Sequence, residues 1–207
     1  MYKRIAMATL TSLVMVGLAG PNTANAQLGI TAGPSFAQLS DIDVGDTQAT
    51  FDNATGWHAH LWLDLPMGPI AIRPGVRYMD AGALFEDAMV NEVRYGRREK
   101  TSLIEVPVDV RFRLPVPAVT PYVMAGPVLR FPVGRHHKDK YNRLSLAGGA
   151  GVGLEVGLGP AKLYPELKYT FGITRFTKET YEIGDTMIRP DKSQRMNAVM
   201  LSLGIGL

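Results

Sequence analysis

From residue 28 to the C-terminus, apolar and polar side chains alternate with a period of two over stretches of about ten residues. No long stretch shows the 3.6-residue period of an amphipathic helix. The clearest stretch is Ile104 to Arg113. Ile104, Val106, Val108, Val110 and Phe112 share one face, and Glu105, Pro107, Asp109, Arg111 and Arg113 share the other. One side is wholly apolar, while the other is charged with both signs.

The same pattern predicts seven more strands. Trp57 to Leu65 sets Trp57, Ala59, Leu61, Leu63 and Leu65 against His58, His60, Trp62 and Asp64. Ile70 to Tyr78 sets Ile70, Ile72, Pro74, Val76 and Tyr78 against Arg73, Gly75 and Arg77. Val123 to Phe131, Leu144 to Val156, Leu163 to Ile173 and Val199 to Leu207 follow, and a weaker strand, Leu28 to Leu39, comes first. The links alternate in kind. Pro66 to Pro69, Leu114 to Thr120 and Leu158 to Ala161 are short and rich in Pro and Gly. Ser40 to Thr55, Asp80 to Lys100, Gly134 to Asn142 and Thr177 to Gln194 are polar, and three of these four are long. An even strand count with short turns at one end and longer loops at the other is the arrangement of an outer-membrane barrel. The expected fold is therefore all-β: an eight-stranded antiparallel up-and-down transmembrane β-barrel, with both termini on the periplasmic side.

The N-terminal residues sharpen this. Lys3 and Arg4 precede an apolar run from Ile5 to Leu18, and Ala24-Asn25-Ala26 is a small-x-small cleavage site. Residues 1–26 read as a signal peptide and 27–207 as the barrel domain. A membrane anchor would need about 20 apolar residues, and this run is shorter and holds Thr9, Thr11 and Ser12. The chain has no cysteine, which excludes disulfides, thiolate metal sites and lipoprotein anchoring. The whole chain carries a net charge of +3; without Lys3 and Arg4 the mature part has 20 basic against 19 acidic side chains, so its basicity does not point to nucleic acid.

Alternation alone leaves open which face meets lipid, because a soluble lipocalin-like exported barrel would turn its charges outward. The export signal and the unbroken apolar face favour a membrane, where a charge at the midplane costs about 2–4 kcal/mol. The polar face also looks built for internal pairing. It sets Asp64, Glu105, Asp109, Glu155 and Glu166 against Arg73, Arg77, Arg111, Arg113, Arg130 and Lys168. Eight strands leave an interior that side chains just fill, so the expectation is a plugged barrel rather than a wide pore. Gly149, Gly151 and Gly153 are expected to make room for Arg130 or Tyr164. Trp57, Tyr78, Tyr122, Phe131 and Tyr169 are expected to form aromatic girdles at the membrane surfaces.

Short segments along the mature part carry a resemblance. They are Leu28 to Phe36, Ile104 to Val108, Pro121 to Pro127, Gly148 to Glu155 and the closing Leu201 to Leu207. Through them the chain resembles the PorT-like outer-membrane β-barrel family, a group common in the Bacteroidota. The resemblance implies a barrel in the outer membrane and hardly implies an activity; one branch assists a secretion and gliding system. The last residue, Leu207, departs from the aromatic on which many such barrels end.

Candidate chemistry is sparse. His58 and His60 lie two apart on the lumen face beside Asp64, a spacing that suits a metal or a general base, yet they point away from any lipid substrate. Arg135, His136, His137, Lys138 and Lys140 make one loop basic and able to meet lipopolysaccharide phosphates. Asp41-x-Asp43-x-Gly45, with Asp46 and Asp52, is acidic but lacks the spacing of a calcium loop. The run from Gly148 to Gly153 does not match a nucleotide-binding glycine loop, and Arg94, Arg97, Arg98 and Lys100 lack interleaved aromatics. No catalytic, cofactor or metal site is expected. The expected partners are outer-membrane lipid, lipopolysaccharide and the barrel-assembly machinery, with no nucleic acid, and the expected state is a monomer. The leading role is a non-enzymatic structural or loop-mediated one. The alternatives are a lipid- or lipopolysaccharide-modifying enzyme, a soluble binding barrel and an accessory of a secretion system.

Overall fold

A computed structural model of the chain describes residues 26–40, 42–44, 47–50, 54–84, 88–90, 93–95, 100–114, 116, 119–133, 141–178, 181–183, 186–188 and 194–207. The expected signal peptide, residues 1–26, lies outside these residues, apart from Ala26.

Eight long strands close into one antiparallel barrel. They are β1 (Gln27–Leu39), β4 (Ala54–Met67), β5 (Ile70–Asp80), β8 (Ser102–Arg113), β9 (Val119–Val133), β10 (Ser145–Leu158), β11 (Ala161–Gly172) and β14 (Met196–Gly206). The order around the wall is β1-β14-β11-β10-β9-β8-β5-β4, and β4 returns to β1. Each pair keeps one register along its length, for example Leu28↔Leu63 to Ala37↔Ala54 and Ile70↔Phe112 to Asp80↔Ser102. Closure pairs the edges that an open sheet would leave bare.

Two of the near-end turns have the same chemistry. Gly68-Pro69 joins β4 to β5 and Gly159-Pro160 joins β10 to β11. Gly68 and Gly159 have φ of 68° and 65°, the left-handed value that a tight hairpin demands of its first turn residue.

The polar links hold more structure than the sequence suggests. The stretch from Ser40 to Thr55 contains β2 (Ile42–Val44) and β3 (Thr47–Thr50). The stretch from Asp80 to Lys100 contains β6 (Ala88–Val90) and β7 (Val93–Tyr95). These four form a separate sheet in the order β2-β3-β6-β7. In the last link β12 (Tyr181–Ile183) pairs with β13 (Thr186–Ile188). The expectation of plain loops is thus corrected. Three- and four-residue strands are too short to show a period-two pattern, and hairpin pairing rather than patterning makes them.

Outward positions of the barrel strands carry no charged side chain except Asp80, the last residue of β5, whose carboxylate accepts a hydrogen bond from the Gly82 N–H (2.8 Å). Leu28, Ile30, Leu61, Val110, Leu201 and Leu203 stand on this face with about half their surface exposed. Charged side chains turn inward instead. This resolves the sidedness that alternation left open: the apolar face is the outer one.

The lumen is stacked in layers. Nearest the short turns lie Trp62, Tyr122, Met124 and Tyr164, all buried. The charged side chains fill the middle. Toward the long links the lumen turns apolar, with Ala37, Leu39, Ala54, Met79, Leu103, Met196 and Ala198 packed under Leu84, Tyr141 and Phe176. Tyr141 pairs with Thr177 through a backbone bridge, its ring meets Phe176 at 4.9 Å between centroids, and its hydroxyl hydrogen-bonds the Thr101 hydroxyl (2.8 Å). The Asn142 side-chain amide donates to the carbonyls of Arg175 (3.0 Å) and Thr177 (3.1 Å). This cap ties two links across the mouth.

Two glycines that precede prolines are fixed by backbone approach. A Cβ on Gly33 would lie 2.0 Å from the Leu201 carbonyl oxygen, and one on Gly126 would lie 2.0 Å from that of Val108. Each glycine precedes a proline, Pro34 or Pro127, which has no N–H to give the ladder. The neighbouring carbonyl leans into the space that the glycine leaves.

Candidate functional site

The middle of the lumen is a network of buried ion pairs. Lumen positions recur every second residue, so β4, β5, β8, β9, β10 and β11 each send charged groups to a shared axis. Glu105 sits between two cations. Arg77 Nε donates to its Oε2 at 2.6 Å and Arg130 Nε to its Oε1 at 2.7 Å. Arg130 also donates to the Met196 carbonyl (2.7 Å) and the Thr170 hydroxyl (2.6 Å), so its fork is filled. Lys168 donates to Asp109 at 2.6 Å.

Nearer the turns, Arg73 donates to Glu166 (2.6 Å) and lies 3.5 Å from Asp64. Arg111 hydrogen-bonds Asp64 and lies 3.7 Å from Glu155. Tyr122 donates its hydroxyl to Glu166 (2.6 Å). Both guanidiniums stack on aromatic rings. Arg73 lies 3.7 Å from the Trp62 ring centroid and Arg111 3.8 Å from that of Tyr122. Trp62 donates its ring N–H to the Thr31 hydroxyl (2.7 Å). Glu155 and Lys162 pair at the turn-end mouth, with Arg113 4.0 Å from Glu155.

Asp64, Glu105, Asp109, Glu155 and Glu166 therefore meet Arg73, Arg77, Arg111, Arg130 and Lys168 in near-neutral balance, five acids against five bases. Arg113, the sixth base of the expected set, sits at the rim, 18% exposed, because it ends its strand. Buried charges at such separations are stable only when paired.

His58 and His60 are buried in the same middle layer. One His58 nitrogen hydrogen-bonds the Ser202 hydroxyl at 3.2 Å. With Thr31, Arg77, Asp109 and Lys168 they border a cavity of about 10 Å³, the room of a single water. Among the described residues no group of three or more His, Cys, Asp or Glu is placed to hold a metal. The acidic segment of Asp41, Asp46 and Asp52 and the basic segment of Arg135, His136, His137, Lys138 and Lys140 lie outside the described residues, and so does the side chain of Asp43.

Two expectations are corrected. Tyr122 is not part of an outer girdle, because it shares the even-numbered parity of Met124 and Arg130 and points into the lumen. Trp57, Tyr78, Phe131 and Tyr169 do face outward, and Trp57 and Tyr78 pack at 5.2 Å between ring centroids. The glycines of β10 make room for other neighbours than Arg130 and Tyr164. A Cβ at Gly153 would meet the Tyr122 ring at 2.4 Å, and one at Gly149 would meet Lys168 at 2.9 Å. On the other wall Gly29 leaves the space that Trp62 fills. Trp62 and Tyr164 point into the lumen, as their strand parity implies; their grouping with Tyr122 into one aromatic floor depends on strand register and has no local signature in the sequence.

A closed eight-stranded barrel with an uncharged apolar outer face and paired charges inside defines an outer-membrane β-barrel. The chain belongs to the family described as the outer membrane protein beta-barrel domain, whose model matches residues 19–178. It lies in the outer membrane. Among solved structures it is similar to Neisserial surface protein A, at 15% identity over 87% of this chain and 96% of that one, with a TM-score of 0.55. It is also similar to the outer membrane protein OprG from Pseudomonas aeruginosa, at 11% identity over 88% of this chain and 96% of that one, with a TM-score of 0.48. No curated protein matches the sequence.

Proposed function

We propose that this barrel is a non-enzymatic, plugged scaffold that holds its outer links at the cell surface, in a structural or loop-mediated role. One observation carries the reading: beyond a mouth cavity of about 480 Å³ at the turn end, bordered by Asp64, Arg113 and Lys162, the lumen is closed by the aromatic floor, the charge network and the apolar cap. The largest fully buried side chains include four arginines, Arg73, Arg77, Arg111 and Arg130, which occupy the space that a pore would need. The name of Neisserial surface protein A agrees with a role at the surface.

An enzyme acting on lipid would need its acid–base groups where lipid can reach them. His58 and His60 instead face a small cavity in the lumen, of about 10 Å³. The narrower PorT-like branch, with its accessory role in secretion, rests on the short segments Leu28 to Phe36 and Ile104 to Val108.

The test replaces the outer hairpins 42–50 and 88–95 by short turns in a deletion strain. The trimmed chain is expected to remain a heat-modifiable outer-membrane barrel yet fail to restore the envelope phenotype of the strain. Full restoration by the trimmed chain would contradict a loop-borne function. In parallel, the double variant His58→Ala, His60→Ala is expected to leave the lipid A mass spectrum unchanged, and a changed spectrum would favour the enzyme.

A further inference from the structure

The barrel has paired all its own edges, but the outer sheet has not. Among the described residues β2 and β7 each have a neighbour on one side only. An open strand edge is a row of unpaired N–H and C=O groups that another strand can join.

The two edges differ in charge. β2 is Ile42-Asp43-Val44, and the sequence around it supplies Asp41 and Asp46 with no basic residue between Ser40 and Thr55. β7 is Val93-Arg94-Tyr95, preceded in sequence by Glu92 and followed by Arg97, Arg98, Glu99 and Lys100, so bases outnumber acids by four to two around it. Asp43 thus stands on one edge of the sheet and Arg94 on the other.

The edges also differ in direction. β2 is antiparallel to β3, β3 to β6, and β6 to β7. Three reversals leave β2 and β7 running oppositely. A second copy displaced sideways in the same membrane keeps its strand directions, so its β2 lies antiparallel to β7 of the first. That is the ladder geometry with straight hydrogen bonds. Joining like edges would set Arg94 against Arg94 or Asp43 against Asp43.

We propose that the outer sheet is a self-association surface, on which the acidic β2 edge of one copy adds to the basic β7 edge of the next. The contact is head-to-tail and does not close on itself, so it builds rows rather than dimers. Each added edge is only three residues long, and it is confinement to one membrane that makes so short a contact effective. The expected monomer then describes the barrel wall, and the rows describe the sheet above it. The inference shares with the proposed function the premise that the links carry the role. It fails separately, because rows can be absent while the loops still bind something else.

The absence of native cysteine makes the test direct. Val44→Cys and Val93→Cys are expressed singly and together in outer membranes and treated with a short bis-maleimide. Heat-modifiable migration of each variant confirms a folded barrel. Mixed cross-linked dimers are expected at several times the yield of either variant alone. Arg94→Asp in the Val93→Cys chain should abolish them, and Asp43→Arg in the Val44→Cys partner should restore them. Equal dimer yield from Val93→Cys alone, mixed dimers indifferent to Arg94→Asp, or no dimers from any combination would overturn the proposal.

Discussion

The middle and the outer third of the lumen solve one problem in opposite ways. Both are sealed inside the same eight strands and both must be filled. The middle is filled by charge: Glu105 between Arg77 and Arg130, Lys168 on Asp109, Arg73 on Glu166. The outer third is filled by Leu39, Met79, Leu103, Phe176 and Met196, with almost no charge among them. A pairing region is held by matched groups, so the loss of one partner matters more than the loss of both. A packing region is held by volume, so each truncation counts for itself. The turn-end layer mixes the two, since Arg73 and Arg111 lie on the rings of Trp62 and Tyr122.

This contrast can be broken at single residues. The largest effect is expected at Glu105→Gln, which leaves Arg77 and Arg130 without their shared carboxylate. Breaking a buried pair costs about 3–5 kcal/mol, and urea unfolding of the refolded barrel should show a loss of that size. Leu103→Ala in the outer third should follow at about 2–5 kcal/mol, the cost of a cavity where the wall cannot collapse. Its loss should be the same at low and high salt, because no charge is involved.

The contrast sharpens with a cycle on Lys168 and Asp109, which bond each other. Asp109→Asn alone should destabilise by about 3–5 kcal/mol, while Lys168→Met with Asp109→Leu should come out near neutral. If the double variant lost as much as the two singles together, the pairing account of the middle layer would be wrong. The smallest effect is expected at Tyr141→Phe in the cap. It removes one hydroxyl hydrogen bond to Thr101 and should cost about 1 kcal/mol, read as a small shift of the unfolding midpoint.

The same contrast explains what the sequence revealed. The middle layer was legible because charged lumen residues alternate with apolar outer ones, as in Ile104 to Arg113. All eight barrel strands followed from that signal. The outer third was not legible, because there both faces are apolar and the period of two disappears. Strands therefore appeared to stop early. Ala54 to Gly56, Met79 to Asp80, Ser102 to Leu103 and Met196 to Ala198 all belong to the wall but lie outside the stretches that the alternation marks as strand. The partners inside the network were not legible either. Which acid meets which base depends on the register of neighbouring strands, and the proximity of Arg73 to Glu166, 93 residues apart, has no local signature. Parity alone would have placed Tyr122 inside.

The central claim is that three filled layers close this lumen. Purified, refolded barrel in a planar lipid bilayer tests it most directly. The account predicts no steady conductance for the wild-type chain at moderate voltage, with leakage appearing only when Glu105→Gln loosens the charge network. A large, stable single-channel conductance from the wild-type chain would contradict it.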